Sequence, residues 1–152
     1  MAVALITANI LSIGGLGFCV LLGYTARPHI LLAIFVTLIT LLAHSMTMFY
    51  LIGKGRAVRD AVTEGGLPAR FVSDIAEARR PVFSIGTLAI ALTMATAIAG
   101  GGTDTGVIPP AIHGLLGVSA VAMNAVALRT EAVALTASAR VVDTVNRLIG
   151  AS

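Results

Sequence analysis

The stretch His29–Ile52, HILLAIFVTLITLLAHSMTMFYLI, runs without one charged residue and gives way abruptly to Gly53–Pro81, GKGRAVRDAVTEGGLPARFVSDIAEARRP. An apolar run of this length matches the thickness of a bilayer's hydrocarbon core when it is wound as a helix. Three further runs share the pattern, at about 2–23, 82–100 and 109–129. Continuous apolar runs, unlike the short alternating pattern of barrel strands, require helices. The expected fold is therefore all-α: an integral membrane bundle of four transmembrane helices in a single domain, residues 1–152.

Composition agrees. The chain is 57% hydrophobic and 11% charged, well under the quarter or so typical of a soluble domain. The net charge of +3 does not point to nucleic acid, because the basic residues flank apolar spans and form no basic face with interleaved aromatics. Met1-Ala2-Val3-Ala4 has no basic side chain, and the run behind it exceeds a signal-peptide core, so a retained span is expected. The lone Cys19 excludes an internal disulfide and reads as a packing residue.

Basic residues set the orientation. Lys54, Arg56, Arg59, Arg70, Arg79, Arg80, Arg129, Arg140 and Arg147 fall on one side of the four spans, and Arg27 alone on the other. The positive-inside rule then places both termini and the 53–81 segment in the cytoplasm. Nine of the ten basic residues are arginine, which reads as a hint of a GC-rich bacterial genome, and the expected location is a bacterial inner membrane. Pro28 and Pro81 are expected at the first turns of the second and third helices, and Pro109-Pro110 at the start of the fourth. Gly100–Gly106 reads as a flexible loop.

Two features lie beyond the spans. Within 53–81, Val58, Ala61 and Val62 form one apolar edge and Phe71, Val72 and Ile75 another, separated by Gly65-Gly66-Leu67-Pro68. The pattern predicts an amphipathic helical hairpin lying on the membrane or against a partner. The segment 130–149 continues the fourth helix, with Leu128, Leu135, Val142 and Ile149 at heptad spacing. That docking seam calls for another helix, from the 53–81 hairpin or from another subunit.

Each span also carries a line of small or polar residues at helical spacing: Asn9, Ser12, Leu16, Cys19 and Gly23; Thr37, Thr40, His44 and Thr47; Gly86, Ala89, Thr93, Thr96 and Gly100; His113, Gly117, Ala120, Asn124 and Ala127. In lipid such faces turn inward, since small residues let helices approach and amides or hydroxyls bond across the gap. Asn9, Thr40, His44 and Asn124 are the interior polar residues so identified.

His44 matters most, because an ionisable group within the hydrocarbon is costly. Three roles fit it: packing against Asn9, Asn124 or a threonine; holding a cofactor; or relaying a proton. A haem b would need His44 with His113, or His44 with Met94 or Met123. A quinone would sit by His44, Thr47 and Tyr50. Copper would use His44 and Met48, which share a helix face. His113, with His29 and Asp104, marks a polar cluster at the opposite end. No nucleophile–base set, carboxylate pair, phosphate loop or zinc spacing occurs. The leading expectation is a non-catalytic oligomeric or accessory subunit of a larger inner-membrane complex, its partners being lipid and either its own kind or other membrane subunits. A small redox protein holding haem b or a quinone near His44 is the alternative.

Overall fold

The computed structural model describes residues 1–25 and 28–150; Arg27, the one basic residue assigned to the far side, lies outside them. Four helices follow in order: α1 (Ala2–Tyr24), α2 (Ile30–Glu64), α3 (Arg70–Asp104) and α4 (Pro110–Gly150), with no strand among the described residues. Each is long and apolar enough to cross a membrane.

One packing layer fixes their relative heights. Leu51, Val82, Ala134 and Leu135 are buried together, and Ala2 and Ile6 pack against them. The start of α1 is therefore level with positions well inside the other three helices. α1 has 23 residues, whereas α2, α3 and α4 have 35, 35 and 41. The three long helices run on past Ala2 as a three-helix extension, which carries the α2–α3 turn and the end of α4.

The 53–81 segment differs from a hairpin of short surface helices. Its two halves are uninterrupted continuations of α2 and α3, joined by a turn in which Gly66 takes a φ of 58°, a left-handed conformation that favours glycine. Their apolar edges do not face a membrane surface. Val58, Val62, Phe71 and Ile75 pack on Val145 of α4, with Val141 and Val142 beside them. Pro81, expected to open the third helix, sits within α3. It removes one backbone donor from that helix, and the packing of Phe71, Ile75 and Val82 on either side carries the helix through.

The glycine run is a second difference. Gly100, Gly101 and Gly102 belong to α3, and the turn comes only at Thr105–Ile108, with Gly106 at a φ of 75°. Glycine disfavours an isolated helix by about 1 kcal/mol. Here it permits close approach: a Cβ at Gly100 would meet His113 Cε1 at 3.1 Å, and one at Gly102 would meet Ile108 Cδ1 at 2.7 Å. The same economy recurs inside the bundle, where Gly15 lies against Val36, Gly86 against Met48 and Gly117 against Val20.

The apolar residues point the other way. Leu11, Phe18, Leu31, Phe35, Leu38, Phe49, Leu88, Ile98 and Leu115 are all exposed on the outside of the bundle. An apolar belt of this extent is a lipid-facing surface, since water-soluble monomers rarely expose large contiguous apolar areas.

Candidate functional site: a polar clasp joining all four helices

The interior of the apolar region holds a polar cluster alongside an apolar one of Leu16, Cys19 and Val36. Asn9 from α1, Thr40, His44 and Thr47 from α2, Thr93 from α3, and Asn124 and Glu131 from α4 are each at most 1% exposed. Helical spacing lines up these positions, and the small residues between them let the four backbones come close enough for short side chains to meet.

His44 is the hub. Its Nδ1 lies 2.6 Å from Glu131 Oε1, and its Nε2 lies 2.8 Å from Asn124 Oδ1. The Asn124 amide nitrogen donates to Thr93 Oγ1 at 2.9 Å and to the Ala120 carbonyl at 2.8 Å. The Asn9 amide donates to Glu131 Oε2 at 3.0 Å and to the Leu5 carbonyl at 3.1 Å. Thr47 Oγ1, itself bonded to the Ala43 carbonyl, lies 3.5 Å from the Asn9 amide. One connected network thus ties α1, α2, α3 and α4 together.

The donor inventory determines the protons. The Asn124 nitrogen is committed as donor to two acceptors, so its Oδ1 accepts, and His44 Nε2 must carry a hydrogen. One further proton then lies between His44 Nδ1 and Glu131 Oε1. Placed on nitrogen it gives an imidazolium–carboxylate pair; placed on oxygen, a neutral histidine and a neutral acid. The pair has no net charge either way. Neutrality, with both His44 ring nitrogens and both Glu131 oxygens hydrogen-bonded, makes its burial tolerable in a medium that punishes isolated charge. Asn9 Oδ1 is the one buried atom of the network left without a partner.

Glu131 is the residue missed by placing the end of the fourth span at Arg129. The signal was present. His113, Gly117, Ala120, Asn124 and Ala127 advance in steps of three and four, and one more step of four arrives at Glu131. A charge two residues past an arginine reads as solvated tail only while the helix is viewed alone.

The other singled-out residues are dispersed. Thr40 bonds back to the Val36 carbonyl at 2.7 Å. Met48 packs with Leu51 and against Gly86, a position that also borders Glu131 Oε1. Tyr50 lies partly buried beside Leu51, with Lys54 Nζ 5.6 Å from its ring centre. His113 belongs to the far end, its ring parallel to that of His29 at 6.3 Å. Along α4, Leu135 is buried, Leu128 and Val142 are partly buried and Ile149 is 41% exposed. The fully buried line runs through Ala127, Glu131, Ala134, Ser138 and Val145 instead, rotated from the 128–149 heptad. The partner helices over this stretch are α2 and α3 of the same chain, with the start of α1 at the Leu135 layer.

As bonded, the clasp presents no free His44 ring nitrogen to a haem, a quinone or a copper ion. Haem iron would need a free ring nitrogen on His44, and both are bonded within the protein. His113, eleven residues beyond Asn124 on the same helix, stands roughly 16 Å away along the axis. A quinone needs donors for its carbonyls. The cleft of about 230 Å³ between α1 and α2 is lined by Met1, Ala4, Leu5, Ala8, Ile39, Leu42, Ala43 and Met46, none with a polar side chain. His44 and Thr47 are sealed from it. Among the described residues, no three His, Cys, Asp or Glu side chains converge as a metal site.

No known protein family, characterised protein or solved structure matches the chain.

Proposed function

We propose that this chain is a non-catalytic membrane subunit, working as an oligomer or as an accessory part of a larger complex in a bacterial inner membrane, with both termini cytoplasmic. The observation that carries the reading is the commitment of the clasp. The polar hub of the apolar region is bonded to other residues of the same bundle, and it faces no cleft where a substrate could enter. A cluster built this way holds helices in register, the best-attested use of buried polar groups.

The extension supplies the docking part. It has a core of its own, Val58, Val62, Phe71, Ile75 and Val145. Its outer surface carries exposed Arg56, Arg59, Asp60, Arg70, Asp74, Arg140, Asp143 and Arg147, a mixed-charge face of the kind that selects partners and steers encounter. The test is native electrophoresis and cross-linking of membranes solubilised in mild detergent. Wild type is expected above the monomer mass, and the double charge reversal Arg140→Glu with Arg147→Glu is expected to release monomer without loss of insertion. A monomeric wild type would overturn the reading.

One observation favours a second reading, proton transfer: the 2.6 Å contact between His44 Nδ1 and Glu131 Oε1 inside the apolar region. Glu131→Gln discriminates. Glutamine can donate to His44 Nδ1 and accept from Asn9, so a clasp tolerates it, whereas a proton carrier loses its carboxyl. Proton flux into liposomes with wild type, absent with Glu131→Gln, would move the assignment to transport.

A further inference from the structure

Arg129 stands apart from the other basic residues. Leu135, in the layer with Leu51 and Val82, marks where charge begins on α2 and α3: Lys54 and Arg80 lie just beyond that layer. Arg129 lies six residues to the other side of it, roughly 9 Å further into the apolar region at the helical rise. It is exposed, between exposed Val126 and Val133 on the outer face of α4. Its guanidinium makes no ion pair among the described residues.

The arginine belongs to a groove. Ala78 and Pro81 of α3 and Val126, Arg129, Thr130 and Val133 of α4 enclose about 350 Å³. On the α3 side its lining residues are the small Ala78 and the ring of Pro81. Its lining is therefore aliphatic walls, one hydroxyl and one unneutralised cation.

We propose that this groove binds one anionic phospholipid from the leaflet adjoining the helical extension. The lipid phosphate sits on Arg129 and an acyl chain lies along Val126 and Val133. Charge complementarity selects the occupant. An arginine below the headgroup level either extends its chain towards the interface or draws a phosphate in. Guanidinium and phosphate match in shape as well as in charge. Basic pockets between transmembrane helices commonly take acidic headgroups.

Native mass spectrometry of the detergent-purified protein tests this, after incubation with phosphatidylglycerol, with phosphatidylcholine or with inorganic phosphate. Wild type is expected to retain one phosphatidylglycerol in preference to phosphatidylcholine, and phosphate is expected not to displace it. Arg129→Gln should lower retention about fivefold, the worth of one basic residue at an acidic lipid. Val133→Trp, which fills the groove and keeps the charge, should lower it as well, while Lys54→Gln on α2, outside the groove lining, should leave it unchanged. Equal retention by Arg129→Gln, no preference over phosphatidylcholine, or full displacement by phosphate would each overturn the proposal. So would a disulfide between two Val133→Cys copies in membranes, which would assign the groove to a second copy of the chain.

Discussion

The two ends of this bundle are built on opposite rules. In the apolar region the interior holds Asn9, His44, Thr47, Thr93, Asn124 and Glu131, while leucine and phenylalanine face outward. In the extension the interior holds Val58, Val62, Phe71, Ile75 and Val145, while arginine and aspartate face outward. The helices are the same continuous helices; only the surroundings change. Lipid gives no reason to bury a leucine, so close packing and hydrogen bonds hold that part together. Water does give a reason, at about 25 cal/mol per Å² of apolar surface removed from it.

The contrast can be broken by exchanging the rules. The largest effect is expected for Glu131→Ala, which strands His44 Nδ1 in an apolar interior and leaves the Asn9 amide only the Leu5 carbonyl and the more distant Thr47 hydroxyl; breaking a buried pair typically costs about 3–5 kcal/mol. Reversible unfolding in mixed micelles would measure it, and Glu131→Gln should lie within about 1 kcal/mol of wild type because both partners stay bonded. Ile75→Ala should cost about 2–4 kcal/mol by opening a cavity in the extension. Its signature is different: hydrogen exchange should speed up in the extension and not around His44. Thr93→Val removes one acceptor from the Asn124 amide, which keeps the Ala120 carbonyl; a loss of about 1 kcal/mol is expected in the same micelle assay. Phe35→Ala, on the lipid face at 61% exposure, should change stability by under about 0.5 kcal/mol. A large loss there would mean that this face is covered by protein.

The same contrast explains what could be read in advance. Four helices, their apolar faces and the inward polar stripes are local patterns, visible as run lengths and as steps of three and four. Asn9, Thr40, His44 and Asn124 stand on such stripes. The extent of the helices was less legible. Charge at Lys54, the proline at 81 and the glycines at 100–102 are each reasons for a lone helix to stop, and none of them stops these helices. Contacts with neighbouring helices compensate each one, and contacts are not written in the local pattern.

By itself, then, the chain of residues determined the solvent, the element type, the number of crossings and which helix faces turn inward, because these depend on transfer of side chains between water and hydrocarbon one helix at a time. Tertiary structure alone decided that Glu131 is interior, that it meets His44 with one proton between them, and that the 53–81 segment joins α4 in a core of its own. Those outcomes turn on the relative height and rotation of separate helices. A shift of one turn, about 5.4 Å, would part the histidine from its acid.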